Sequence, residues 1–105
     1  MGAEFFIVNM RGDTARGAFD EAVRQACYDH GHSGGSGTIA EKRGRGFVVI
    51  PLPDGEVAAS FANRLLDGDE RIDCKWGPAG CIEIVDEAEP DPDRRTFVFF
   101  GWANS

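Results

Sequence analysis

Apolar side chains recur at helical spacing in two segments of the chain. In the first segment they follow one another at positions i, i+3, i+4 and i+7: Phe19, Ala22, Val23 and Ala26. Either Asp13 or Thr14 can cap the start of this segment, so the pattern predicts a helix over about residues 14–29. In the second segment the residues at this spacing are Val57, Ala58, Phe61, Ala62 and Leu65. Because Gly68 follows and can end it, the sequence predicts a second, shorter amphipathic helix.

Five other segments are short, rich in β-branched or aromatic residues, and bounded by glycine, proline or charged residues. They are residues 4–10, 38–42, 47–50, 81–85 and 96–103. This composition is typical of strands. Residues 43–46 form a short glycine-containing link and predict a hairpin between the second and third of these strands.

The predicted elements follow one another in the order β-α-β-β-α-β-β. The first six match the split β-α-β pattern of ferredoxin-like folds. We therefore expect an α+β fold in one domain over residues 1–105, with a mostly antiparallel sheet of about five strands. Both helices are expected on one face of that sheet.

The first and last predicted strands are apolar on both of their faces. The residues concerned alternate along each strand: Phe5, Phe6, Ile7, Val8 and Met10, then Phe97, Val98, Phe99, Phe100 and Trp102. A sheet with one face in water alternates apolar and polar residues instead. Helices on one face leave the other to be covered by the loops at 31–38 and 69–80, by a second copy of the chain, or by a partner.

The composition changes this picture mainly through charge. The chain has 105 residues, of which 42% are hydrophobic and 28% are charged, which excludes a disordered polar tail. The net charge is −7, and all of this excess falls in the second half, residues 54–105. Direct nucleic-acid binding is disfavoured because phosphate contacts need a basic surface. An acidic half fits a basic partner protein, an imitation of DNA charge, or solubility alone.

Cysteine usage and hydropathy bear on the compartment. There are three cysteines, an odd and sparse set that does not predict a disulfide framework. The first ten residues carry no basic region of the kind that begins a signal peptide, and no apolar run approaches about 20 residues. We therefore expect a cytosolic protein without membrane association.

A histidine- and glycine-rich segment follows the first predicted helix and holds the first candidate site. Its candidate ligand-binding residues are His30, His32, Gly34, Gly35, Gly37, Thr38 and Glu41. Consecutive glycine N–H groups can bind a phosphate or nucleotide, although this loop follows a helix, the reverse of a dinucleotide fingerprint. The histidines with Cys27 suit zinc if a further ligand comes from Glu41, Cys74 or Cys81. Weak hydrolysis would use a histidine base that Glu41 orients, with a nucleophile from Ser33, Ser36, Thr38 or Cys27. A flexible connection is the commonest role of such a segment, and we expect no catalytic residue, resident metal or cofactor.

The second candidate is a partner-binding surface in the acidic half. It combines Trp76, next to the turn at residues 77–80, with an acidic run made of Asp86, Glu87, Glu89, Asp91 and Asp93. Aromatic side chains concentrate binding energy at protein interfaces. The ordinary alternatives are a tryptophan that closes one end of the core and a solvated hairpin tip.

Three stretches carry a resemblance to a known family. They are residues 30–42, which include GTIAEK as the most specific part, residues 75–80 (KWGPAG) and residues 99–103 (FFGWA). Together they resemble a family of small uncharacterised proteins of tailed phages and prophages, notably of actinobacteria. Members often carry an aromatic residue where Gly35 or its neighbour stands, so an aromatic-lined pocket is not expected here.

The resemblance implies a setting, a phage gene product in the host cytosol, and no mechanism. Combined with the charge pattern, it predicts a small acidic phage accessory protein that acts by binding a host protein. The alternatives are a nucleotide, phosphate or metal site with weak hydrolytic activity at residues 30–41, a component of phage assembly, and a homodimer.

Overall fold

A computed structural model gives the fold of residues 3–30, 38–72, 74–84 and 95–104. Its elements in chain order are β1 (Ala3–Gly12), α1 (Ala15–His30), a 3₁₀ helix (Ile39–Lys42), β2 (Phe47–Val49), α2 (Ala58–Leu66), β3 (Ala79–Ile84) and β4 (Arg95–Asn104). The start of α1 is capped as the sequence predicts, because Thr14 Oγ1 accepts a hydrogen bond of 3.0 Å from the backbone N–H of Gly17. No helix within the described ranges has the length and hydropathy needed to cross a membrane.

The four strands form one mixed sheet in the order β1-β4-β3-β2. Strand β4 runs antiparallel to both β1 and β3, whereas β2 runs parallel to β3. The expected α+β class is confirmed, and the expected sheet of about five mostly antiparallel strands is met in part: the described residues form four strands, of which two neighbouring pairs are antiparallel and one is parallel. The connection β2-α2-β3 joins two adjacent parallel strands, whereas the split β-α-β pattern of a ferredoxin-like order places another strand between the two.

The two helices cover opposite faces of the sheet. Helix α1 packs in one cluster of buried residues with Phe97 and Phe99, and α2 packs in a second cluster with Val98 and Phe100. The expectation of both helices on one face was therefore wrong. Because alternate residues of a strand point to opposite faces, the two-faced apolar pattern of β4 required a cover on each side, and α2 supplies the second one.

The segment predicted as a strand at residues 38–42 is instead the 3₁₀ helix Ile39–Lys42. The Thr38 hydroxyl caps it by accepting a hydrogen bond of 3.2 Å from the backbone N–H of Ala40. The predicted hairpin at residues 43–46 is absent, since β2 has β3 as its neighbour. Gly46 leaves this turn with a φ of +74°, a conformation that favours glycine, and its carbonyl accepts a hydrogen bond from Ala79.

Candidate functional site

The most defined polar arrangement in the described structure is centred on Lys42, beside the start of β3. Its ammonium group donates to the backbone carbonyl oxygens of Cys74 at 3.3 Å, Lys75 at 3.0 Å and Gly77 at 2.8 Å. The whole residue is 0% exposed. An ammonium group has three donors, so the three carbonyls of this turn use all of them.

Burying the charged ammonium group of Lys42 costs free energy, and the hydrogen bonds to its three carbonyl acceptors offset this cost. Burial lowers the pKa of its side chain, and the smaller electrostatic effects of Cys74, Arg45 and Glu41 partly cancel one another. With every donor engaged inside the fold, Lys42 has no free position for a ligand. Its role is to fix the turn at residues 74–77, which we call the Trp76 turn.

The Trp76 turn presents its tryptophan to solvent. The side chain of Trp76 is 54% exposed, and the Lys75 ammonium lies 5.2 Å from the centre of its ring. A backbone hydrogen bond of 3.0 Å from Gly77 to Cys74 closes the turn. Trp76 therefore does not close the end of the core, contrary to the commoner role for such a residue. Trp102 lies against the core instead, and its indole N–H donates to the Leu66 carbonyl at 2.9 Å.

The structure does not assemble the candidate ligand site at residues 30–41 from the residues it describes. His30 is the last residue of α1, and nothing is described of its side chain. The Thr38 hydroxyl is engaged as a helix cap, and Glu41 is half-buried on the 3₁₀ helix with an interaction of its own. The remaining members of the site lie outside the described residues: His32, Gly34, Gly35 and Gly37.

The three cysteines do not form a metal centre with one another. All three are free; Cys27 and Cys81 are buried, and Cys74 is exposed. Burial, with a smaller contribution from the charge of Glu83, raises the pKa of the Cys81 thiol to about 12. Within the described ranges, no three His, Cys, Asp or Glu side chains are grouped as a metal ion requires.

The acidic part of the candidate partner surface lies outside the described residues: Asp86, Glu87, Glu89, Asp91 and Asp93. The described residues nearest to it are Ile84, at the end of β3, and Arg95, at the start of β4. Since β3 begins at Ala79 and spans six residues, the Trp76 turn and these two positions are separated by the strand's length, about 17 Å. The described structure therefore places Trp76 at one end of the sheet and the attachment points of the acidic run at the other.

A groove that the sequence does not predict runs along α1 and has a volume of about 420 Å³. Its apolar floor contains Phe19 and Cys27, and its rim carries Asp20, Arg24, Tyr28 and Arg43. Tyr28 is 90% exposed, and Arg24 donates to Glu21 at 2.6 Å. The sequence gives one indication of this groove, which is the presence of Arg24 and Tyr28 four residues apart on the same helix.

Sequence reasoning also missed Lys42, which it included in the strand predicted at residues 38–42 without assigning it a role. One feature of the composition points to it, because the chain has only two lysines among 11 basic residues. A compact ammonium group suits three converging carbonyls in a way that a planar guanidinium does not. The acceptors lie more than 30 residues away in the chain, so no local pattern could identify them.

Comparison with known proteins adds no relative. The chain matches no family model, no curated protein and no solved structure.

Proposed function

We propose that this protein acts by binding another protein and that Trp76 is the centre of the binding surface. The observation that carries the proposal is a tryptophan that is 54% exposed on a turn fixed from inside by a fully buried lysine. Tryptophan is the residue most enriched among those that dominate binding energy at protein interfaces. A water-exposed tryptophan costs free energy in the unbound protein, which contact with a partner recovers.

The rigidity of the Trp76 turn favours a role of Trp76 in binding a partner over an exposure that has no function. Three hydrogen bonds from Lys42 fix the backbone on either side of Trp76 before any partner arrives. Because the backbone is already ordered, binding loses little conformational entropy at this position. The Lys75 ammonium over the indole ring restricts the side chain as well.

The distribution of charge bears on the partner. Among the described carboxylates of the acidic half, Glu56, Asp69 and Glu83 are each paired with an arginine. The net charge of −7 therefore draws heavily on the acidic run that begins at Asp86. A partner with basic surface is attracted by this charge at long range, whereas Trp76 supplies short-range affinity. In the phage setting that the resemblance implies, this partner is a host protein met in the host cytosol.

Native mass spectrometry of the tagged protein, purified gently from an actinobacterial host lysate, tests this function. The variant Trp76→Ala removes the exposed ring without touching Lys42. Tyr28→Ala is the matched control, because it truncates an aromatic residue that is 90% exposed on α1. We expect a stoichiometric host protein on the wild-type chain and on Tyr28→Ala, and its loss from Trp76→Ala.

Other results of the same experiment contradict the proposal. A host protein that remains bound to Trp76→Ala but leaves Tyr28→Ala assigns recognition to the groove along α1. Absence of any bound protein from the wild-type spectrum rejects a binding function under lysate conditions.

The groove along α1 supports a second candidate, a small-ligand site. Its volume of about 420 Å³ lies within the range of ligand pockets, roughly 300–1,000 Å³. The apolar floor suits a ligand with an apolar part, and Arg43 offers a guanidinium group to a polar part, whereas Arg24 is paired with Glu21 and Asp20 adds a carboxylate. The discriminating observation is a small additional mass in the native spectrum. Loss of that mass in Tyr28→Ala places the ligand in the groove, and loss on replacing His30 and His32 places it at the histidine- and glycine-rich segment.

A further inference from the structure

The two edges of the sheet differ in how they are protected. Strand β2 is an edge of only three residues, and Pro51 and Pro53 follow it closely. Strand β1 forms the other edge with ten residues, and among the described residues no strand lies on its outer side. Short length and proline are devices that prevent an edge strand from pairing with another chain. Only the β2 edge has them.

Strand β1 also lacks lysine, proline and a bulge, three devices of this kind. It contains no lysine and no proline, and its register with β4 continues without a bulge from Ala3 opposite Asn104 to Gly12 opposite Arg95. In an antiparallel pair, alternate residues direct their N–H and C=O groups away from the neighbour. The outer side of β1 therefore carries a regular row of backbone donors and acceptors, and no described strand pairs with them.

Apolar side chains flank this row on both faces of the sheet. On the α2 face Phe5 is 56% exposed, and Ile7 is half-buried. On the α1 face Val8 and Met10 are half-buried. The strand has one carboxylate, Glu4, and one guanidinium, Arg11, so its net charge is zero. Its charge therefore does not favour pairing with an acidic strand or with a basic strand.

We infer that β1 pairs with β1 of a second copy of this chain, so that two sheets join into one continuous sheet of eight strands. A two-fold axis normal to the sheet relates antiparallel strands in such a dimer. Opposite residues then lie on the same face, and one residue lies opposite itself. For a strand from Ala3 to Gly12, pairing centred on either Ile7 or Val8 gives nearly complete overlap.

Side-chain complementarity selects the register centred on Val8. In that register Phe6 lies opposite Met10 of the partner subunit, and Phe5 lies opposite Arg11 of the partner subunit. The first pair is apolar, and the second places a guanidinium beside an aromatic ring. The register centred on Ile7 would instead place Glu4 opposite Met10 of the partner subunit. Cross-strand pairs of this kind are the main source of sheet specificity.

The test is sedimentation velocity on the full chain from low-micromolar to near-millimolar concentration. Wild type is expected to be in equilibrium with a dimer. Phe5→Lys places a lysine opposite Arg11 of the partner subunit twice in each dimer and is expected to weaken dimerisation by about tenfold or more. Adding Arg11→Glu to Phe5→Lys restores an attractive pair in the same register, and the double variant is expected to recover the dimer. Phe5 and Arg11 are both exposed, so circular dichroism should show unchanged folding.

Two controls separate this surface from others. Val49→Lys places the same charge on the β2 edge, where the side chain is 57% exposed, and is expected to leave the dimer intact. Trp76→Ala is also expected to leave it intact, so the dimer and the partner-binding function fail independently. Each copy has a net charge of −7, and raised salt should therefore tighten the dimer by screening repulsion.

Four outcomes overturn the inference. They are a wild-type chain that is monomeric throughout the concentration range, a dimer unaffected by Phe5→Lys, a double variant that stays monomeric, and a dimer lost in Val49→Lys. A monomeric chain whose capture of another protein depends on Phe5 likewise overturns it, in favour of a strand donated by that protein.

Discussion

The ammonium group of Lys42 lies 2.8 Å from the carbonyl oxygen of Gly77, 35 residues further along the chain. With the two other acceptors in the same turn, this contact ties the 3₁₀ helix to the segment that leads into β3. A buried charge thus connects two segments that are more than 30 residues apart in the chain.

Replacing Lys42 by alanine is expected to reduce the free energy of unfolding by about 2–4 kcal/mol, because three backbone carbonyls lose the fully buried ammonium group that donates to them. Lys42→Arg should recover only part of this, since a planar guanidinium cannot meet three converging acceptors equally. Urea unfolding monitored by circular dichroism measures both. Lys75→Ala, at a less buried lysine, is the control and should cost less than about 1 kcal/mol. A Lys42→Ala variant as stable as this control would show that water replaces the ammonium group.

The two tryptophans should differ both in the quenching of their fluorescence and in their contribution to the free energy of unfolding. Trp76→Ala is expected to change the free energy of unfolding by less than about 0.5 kcal/mol, because its ring is largely exposed. Trp102→Ala loses both core packing and the hydrogen bond to Leu66, and should cost about 3 kcal/mol or more. In Trp102→Phe the remaining emission should be readily quenched by iodide, whereas in Trp76→Phe it should be protected. Equal quenching of the two variants would contradict the exposure of Trp76.

Gly80 is a position where even one added carbon should be costly. A Cβ atom there would lie 2.7 Å from Cε1 of Phe100, whose ring is completely buried against α2. Gly80→Ala is therefore expected to lower the free energy of unfolding by about 1–3 kcal/mol through overpacking. Gly68→Ala is the matched control, because no atom lies within 4 Å of the position its Cβ would take. Thermal melting of the two variants side by side gives the comparison, and similar melting temperatures would contradict the close packing.

Cys81 is expected to make the free energy of unfolding decrease as the pH rises in the alkaline range. Burial raises the pKa of its thiol from 9.0 to about 12 in the folded chain. Its contribution is therefore fully present below pH 9.0 and is lost as the pH rises towards about 12, because only the unfolded chain releases the proton. The decline reaches at most about 1.4 kcal/mol per pH unit for one group.

Urea unfolding at a series of pH values checks this decline. Cys81→Ala removes the titrating group, so its free energy of unfolding should fall less steeply than that of wild type above pH 9.0. Cys74→Ala, which removes an exposed thiol, should keep the wild-type decline. Parallel curves for wild type and Cys81→Ala would exclude Cys81 as the source.

Local patterns predicted the long elements of this fold well. The expected helix at about 14–29 is α1 (Ala15–His30), and the expected strand at 96–103 is β4 (Arg95–Asn104). These segments have a repeated side-chain spacing that only one type of element can bury. The segment at 38–42 has no such repetition. Its conformation depends on the Thr38 cap and on acceptors that are remote in the chain.

The arrangement of the helices and the candidate site depended on contacts that no local pattern contains. Strands that are apolar on both faces require other elements to cover each face of the sheet, but the spacing of apolar residues does not indicate which helix lies on which face. A tryptophan can either pack in the core or contact a partner, and the sequence does not distinguish the two. The exposure of Trp76 follows from a turn fixed by Lys42. The sequence predicts a ligand site that includes Thr38, but no local pattern indicates that the Thr38 hydroxyl caps the 3₁₀ helix.

The central place of β4 has a consequence for the order of events during synthesis. This strand separates β1 from β3 and contributes to both buried clusters, yet every other described element precedes it in the chain. On the ribosome, β1 therefore lacks the strand that pairs with it in the described structure until residues 95–104 emerge. We expect the nascent chain to gain protease resistance in one late step and not helix by helix. The same long-range pairing should make refolding slower than in helical bundles of similar length.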